Sequence, residues 1–210
     1  MNTYLSLPPF QDFWIKAFGN SLAEWIGAIT ALIGIWLTTK GKISCWIFNI
    51  ISSALYAYVF FKVPLYADFL LQFAFIGLSI YGWVNWVEVK SISPSKTRHI
   101  QKSEIGIGFL LLLVLTYLLG YLLKKYTLDS YPYIDAFCFL TSIWATYLTT
   151  IFVLENWLIW VFTNAVYIII YIKKDLWPTS FLYGILLILA IAGYFEWRKY
   201  LIPRGQKESF

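Results

Sequence analysis

The chain has 210 residues, of which 60% are hydrophobic and 21% aromatic, while only 13% are charged. A soluble protein of this length needs far more polar surface to cover its core, so most of the apolar area must face lipid and the class is integral membrane protein. The net charge of +5 belongs to lysines and arginines in the connections. It is a topology signal rather than the concentrated basic surface that nucleic acid requires, and no nucleic-acid role is expected.

Residues 1–21 carry Pro8-Pro9, Asp12 and Lys16 and lack the basic start, apolar middle and small-residue cleavage site of a signal peptide. With Tyr4, Leu5, Leu7, Phe10, Phe13, Trp14 and Phe18 among few charges, they read as an interfacial segment that stays attached. A first three-helix unit follows over residues 22–87, with spans at 22–39, 43–61 and 65–87. Asn20-Ser21 followed by Glu24 offers the first span a cap, and Lys40-Gly41-Lys42 ends it. Connections of a few residues force the three to alternate in direction. Trp46, Trp83 and Trp86 suit a headgroup boundary.

Residues 88–104 form a polar, basic loop marked by Ser91, Ser93, Pro94 and Ser95. His99 within it is expected to be solvated. Residues 105–123 make a fourth span rich in leucine and poor in aromatics, read as a linker helix. The second unit covers residues 133–197, with spans near 133–153, 157–171 and 180–197, and 198–210 is a tail. Cys45 and Cys138 have no cysteine or histidine at ligand spacing, so both are expected as packing residues, with no metal site and no cofactor.

The second unit repeats the first. Setting residues 24–86 against 135–197 at a constant offset gives 14 identities in 63 positions, among them Thr30/Thr141, Leu37-Thr38-Thr39/Leu148-Thr149-Thr150, Trp46/Trp157, Tyr56/Tyr167, Lys62/Lys173, Gly82/Gly193 and Trp86/Trp197. The expected fold is therefore all-α integral membrane, with seven transmembrane helices as parallel 3+1+3 internal repeats, a known transporter design. Ten of the 16 basic residues fall on the side of Lys40, Lys42, the 88–104 loop and the C-terminal tail. That side is expected in the cytoplasm, with the N-terminus outside.

Polar groups at membrane depth need partners in the bundle or in a water-filled cavity. They are Asn49, Ser52, Ser53, Gln72, Ser79, Thr141, Ser142, Thr163 and Asn164. Any single amide can instead be glue between helices. The repeat sharpens the functional side, because Asn49, Ser53, Tyr56 and Phe60 share one helical face and correspond to Trp160, Asn164, Tyr167 and Tyr171. Such a lining can stack a flat ring and hydrogen-bond a polyhydroxylated group. Gly27, Ala31, Gly34, Gly77 and Gly82 are read as close helix contacts. No span holds paired central acids or a basic cluster, which favours a neutral or delocalised-cation solute. Walker-type, His-Glu-x-x-His and Gly-x-Ser-x-Gly signatures are absent, and no enzyme activity is expected.

The run Phe60-Phe61-Lys62-Val63-Pro64-Leu65-Tyr66-Ala67-Asp68, continuing through Leu71-Gln72 to Tyr81-Gly82-Trp83 and Trp86, resembles the PnuC family of nicotinamide riboside transporters. Glu155-Asn156-Trp157, Trp160, Asn164, Tyr171, Lys173, Tyr183, Gly193 and Trp197 extend the resemblance through the second half. What it implies is a relative of the SWEET fold in the bacterial inner membrane, assembled as a homotrimer. The resemblance further implies uptake of nicotinamide riboside by facilitated diffusion and trapping of the product by a cytosolic riboside kinase. Gln72, Trp160 and Asn164 match the family's substrate-lining pattern. With the residues' own chemistry, Asn49, Gln72 and Asn164 are expected to hydrogen-bond the carboxamide or ribose, and Trp160, Tyr56 or Tyr167 to stack on the pyridinium. A SWEET-like uniporter of a sugar or another vitamin, a passive channel and a non-transporting scaffold remain alternatives.

Overall fold

The computed structural model describes residues 22–62, 66–88, 97–127, 131–173 and 177–201. Among them are seven helices: α1 Leu22–Thr39, α2 Cys45–Lys62, α3 Tyr66–Glu88, α4 Lys102–Tyr126, α5 Pro132–Thr150, α6 Asn156–Lys173 and α7 Trp177–Arg198. The expected segment at 1–21, the Asn20-Ser21 cap and residues 202–210 of the tail lie outside the described residues. Four helices contain stretches long and apolar enough to cross a bilayer: Phe69–Glu88, Lys102–Tyr126, Asn156–Lys173 and Ser180–Arg198. The apolar stretches of α1 and α2 are shorter, Trp25–Thr39 and Cys45–Val59. Helix α5 is diluted by Thr141, Ser142, Thr149 and Thr150, all of them buried.

Helices α1, α2 and α3 pack in sequence, as do α5, α6 and α7, and the two groups abut where α3 meets α5 and α7 meets α1. Helix α4 packs on α5 from outside. Only Leu112 and Gly120 of α4 are buried, so this leucine-rich helix turns nearly its whole surface outward. Its two close approaches rest on glycine: a Cβ at Gly108 would strike the Trp144 ring, and one at Gly120 the Tyr133 ring.

Positions 111 residues apart make matching contacts. Helix α1 ends with Gly41 N–H donating to Thr38 O and Lys42 N–H to Leu37 O, and α5 ends with Phe152 N–H donating to Thr149 O and Val153 N–H to Leu148 O. This is the Schellman arrangement, which needs a left-handed residue just past the helix. Gly41 supplies it at φ 62°, but the second turn places Phe152 at φ 57°. A side chain there costs about 1–2 kcal/mol. The Phe152 ring is held in return, stacked on Trp86 at 4.7 Å between centroids.

The tryptophans correct the expectation of a boundary belt. Trp46, Trp86, Trp157 and Trp197 are at most 2% exposed and form the main core cluster with Cys45, Phe152, Leu154 and Ala190. Trp46 meets Trp86 edge to face at 5.1 Å, and Trp157 meets Trp197 in the same way at 5.5 Å. Each closing indole then reaches across to the other group: Trp86 Nε1 donates to Thr150 O at 3.2 Å, and Trp197 Nε1 to Thr38 O at 3.0 Å. Each carbonyl lies in a helix end and accepts a second bond as well, Thr150 O from Asn85 Nδ2 at 2.7 Å and Thr38 O from Gly41 N–H, so the indoles add cross-group bonds to helix-end carbonyls in an apolar environment.

His99 is exposed, as expected, but it is not without a partner. Its Nδ1 lies 2.7 Å from Glu155 Oε1, and Glu155 Oε2 accepts the Ile100 N–H. Beside it, Arg98 exchanges backbone hydrogen bonds with Phe152 and Leu154 and holds Glu104 with two guanidinium bonds. The connection leading into α4 is thereby strapped onto the α5–α6 turn. A second correction concerns Gly77, which has nothing within 4 Å of a built Cβ and is not a packing contact. Both cysteines are buried packing residues, as expected.

At Gly82 and Gly193 a Cβ would overlap the Trp46 and Trp157 rings. Gly82→Ala and Gly193→Ala should each lower the thermal midpoint in detergent, by an amount equivalent to about 1–3 kcal/mol, whereas Gly77→Ala leaves it unchanged. Equal behaviour of all three variants would show that the glycine–tryptophan contacts do not bear on stability.

Candidate functional site

Where the two helix groups meet, on the side of the α1–α2 and α5–α6 turns, lies a cavity of about 90 Å³. A water needs roughly 10–15 Å³ of such space, so several fit. The lining comes from both groups: Ile35 and Thr38 on α1, Trp46 and Asn49 on α2, Thr146 and Thr149 on α5, Trp157, Trp160 and Asn164 on α6, and Leu186 and Ala190 on α7. Ile35 corresponds to Thr146, Thr38 to Thr149, Trp46 to Trp157 and Asn49 to Trp160 at the 111-residue offset. The cavity therefore sits about the line relating the two groups. Toward the turns it borders the tryptophan cluster.

Toward the other end of the helices lies a second aromatic layer. Tyr167 and Tyr171 stack at 5.8 Å, and Tyr183 tilts against both at 4.6 and 5.2 Å. Tyr56 packs against the Gly27 backbone, and Ser52 below it donates to Gly27 O at 2.9 Å. Thr163 donates to Thr141 at 3.1 Å and ties α6 to α5 at the position matching Ser52.

The polar inventory of the cavity is specific. The indole Nε1 of Trp46 and of Trp157 and the Asn164 Oδ1 are buried without a hydrogen-bond partner among the described residues. An unpaired buried donor or acceptor costs about 1–3 kcal/mol, and its persistence needs a reason. Asn49 lies against Gly34, where a Cβ would overlap its Oδ1, so this glycine makes room for the amide. Among the described lining residues there is no Asp, Glu, Lys, Arg or His. The site can donate from indoles, accept at an amide oxygen and stack a flat ring on Trp160, and its described lining offers no cation to an anionic group.

Of the residues singled out in the sequence, Asn49, Trp160 and Asn164 are brought together here. Gln72 is buried in α3 but is not among the lining residues. Tyr56 and Tyr167 are likewise outside the lining and belong to the tyrosine layer. Sequence reasoning passed over Thr38, Thr146 and Thr149 and assigned Trp46 to a headgroup boundary. The signal was present in the repeat itself, since Thr38/Thr149 and Trp46/Trp157 are identical pairs.

Comparison with known proteins bears directly on this architecture. The family described as nicotinamide mononucleotide transporter matches residues 21–199. The chain belongs to this family. Among curated relatives in the family's functional territory, the nicotinamide riboside transporter PnuC of Escherichia coli (strain K12) is 28% identical over 92% of this chain and 92% of its own. The protein of the same name from Neisseria mucosa is 25% identical over 90% of this chain and 81% of its own. A crystal structure of the vitamin B3 transporter PnuC superposes with a TM-score of 0.68 over 91% of this chain and 88% of that one, at 22% identity. The shared fold is an all-α, multi-pass membrane bundle.

Asn164 leaves a buried acceptor unpaired in the cavity, which costs stability in the ligand-free chain. Asn164→Leu, similar in volume, is expected to keep or raise the ligand-free thermal midpoint. A drop equivalent to about 1–3 kcal/mol would instead make Asn164 a structural residue.

Proposed function

We propose that this protein carries nicotinamide riboside across the membrane by facilitated diffusion with alternating access. The observation that carries the reading is the cavity between the two helix groups, which joins an aromatic face and unpaired hydrogen-bonding atoms but has no basic lining residue. Nicotinamide riboside offers matching parts: a flat pyridinium whose delocalised charge suits an indole face, a carboxamide, and ribose hydroxyls. Trp160 stacks on the ring, while Asn164 and Asn49 bind the carboxamide or ribose. Gln72, Tyr56 and Tyr167 contact substrate as it enters or leaves. The names of the curated relatives support the same substrate.

The family's description names the mononucleotide, which differs by a phosphate. A desolvated phosphate needs Arg, Lys or a helix N-terminus to replace its water. With none of the basic residues in the lining, the riboside is the better fit.

The carrier is read as a 3+1+3 arrangement: residues 22–87 and 133–197 as parallel repeats, 105–123 as the linker span, and 88–104 and 198–210 on the cytoplasmic side. The matching helix-end turns, tryptophan pairs and cross-group indole bonds support the repeat. The charge bias supports an N-terminus outside and a C-terminus inside the bacterial inner membrane. The outward apolar face of α4 supports a homotrimer in the bilayer. Rocking of one repeat on the other opens the cavity to each side in turn, and phosphorylation by a cytosolic riboside kinase makes uptake effectively one-way.

Counterflow of labelled nicotinamide riboside in proteoliposomes without an ion gradient tests the reading. Saturable exchange blocked by unlabelled riboside, and not by the mononucleotide, thiamine or glucose, is expected. Inhibition by the mononucleotide at equal concentration would reassign the substrate, and non-saturating flux would indicate a channel. Asn164→Ala should slow riboside exchange about tenfold or more, in line with loss of a hydrogen bond to a bound ligand, without changing membrane insertion. Wild-type exchange in that variant would remove Asn164 from the site.

A further inference from the structure

The cavity contains three threonines, and their protons are already committed. Thr38 Oγ1 donates to Gly34 O at 2.9 Å, Thr146 Oγ1 to Ser142 O at 2.7 Å, and Thr149 Oγ1 to Ala145 O at 2.9 Å. All three are bonds back to the carbonyl one turn earlier on their own helices. Thr149 has a second neighbour in Asn156 Oδ1 at 3.0 Å, whose amide nitrogen is in turn bonded to Val153 O. Thr38 has the Cys45 thiol as a side-chain partner. In each case the hydroxyl proton points into protein. A hydroxyl has one donor and two lone pairs, so what remains for the cavity is acceptor capacity alone.

We infer that Thr38, Thr146 and Thr149, with the Asn164 oxygen, form an acceptor-only collar that selects the positively charged pyridinium form of the riboside. The inference rests on the riboside reading above and goes one step further, to what distinguishes the charged ring from a neutral one of the same shape. A delocalised cation entering a cavity without a carboxylate loses its hydration and needs oriented negative dipoles in return. Four oxygens that present only lone pairs provide them without the cost of burying a counter-ion. The collar draws on both helix groups, because Thr38 lies on α1 and Thr146 and Thr149 on α5.

The test compares nicotinamide riboside with its neutral dihydro form, read by quenching of tryptophan fluorescence and by competition in counterflow. Wild-type protein should prefer the cationic form by about tenfold, the scale of a hydrogen bond to a charged group. In Thr38→Val with Thr146→Val, which preserves side-chain shape, the preference should fall to within about twofold because the cation binds more weakly while the neutral form does not. Thr146→Val alone should give a partial loss, and it serves if the double variant does not fold, since the hydrogen bond from this hydroxyl to Ser142 O stays within its own helix. Thr146→Ser, which restores the oxygen, should restore the preference. An unchanged preference in folded variants, or equal weakening of both ligands, overturns the collar while leaving the riboside reading intact. If wild-type protein binds neither form, the riboside reading fails and the collar falls with it.

Discussion

Trp46 against Gly82 and Trp157 against Gly193 are the contacts on which the rest of the bundle depends. Lipid tails are as apolar as leucine, so helices in a membrane gain little from burying aliphatic surface against each other. Association must come from close packing and from hydrogen bonds that have no alternative partner. A glycine on α3 and another on α7 let an indole lie flat on the helix backbone. That placement brings Trp46 edge-on to Trp86 and Trp157 edge-on to Trp197. The closing tryptophans are then aimed across the boundary at Thr150 O and Thr38 O. Each helix group thus finishes the hydrogen bonding of the other.

The same arrangement leaves the cavity where it is. Among the described residues the two groups meet chiefly through α3 with α5 and α7 with α1, and polar side chains line the cavity between them. A tyrosine layer lies toward the opposite helix ends. The proposed carrier cycle needs a site bounded on two sides by layers that can part in turn. Flat rings suit that role because they seal by contact area and leave few unsatisfied polar atoms when they separate.

The two helix groups are not equivalent. The turn after α1 uses Gly41 in the left-handed conformation without strain, whereas the turn after α5 forces Phe152 into it. Phe152 is also the turn bracketed by Arg98, whose strand-like bridge and ion pair with Glu104 tie it to the start of α4. Strained residues persist only where their surroundings over-determine them. Here the stack on Trp86 and the strap from residues 98–100 do so.

Much of this was legible in the chain itself. A composition of 60% hydrophobic residues requires a membrane interior. Helix limits followed from breaks in apolar runs, and α1 ends at Thr39 because Lys40-Gly41-Lys42 stops it. Asn49, Trp160 and Asn164 could be chosen because an amide at membrane depth has few reasons to be there. The rest required distances. Whether a tryptophan near a helix end faces headgroups or a neighbouring helix depends on a glycine 36 residues further along the chain, as Gly82 lies from Trp46 and Gly193 from Trp157. Whether His99 has a hydrogen-bonding partner depends on Glu155, on a turn that only the packing of α5 and α6 brings near. Periodicity reports which face of one helix is polar, and it is silent on what stands opposite. The separation of Gln72, Tyr56 and Tyr167 from the cavity, and the presence there of three threonines, were decided by the tertiary structure, because only the relative placement of the helices determines which inward faces enclose the same space.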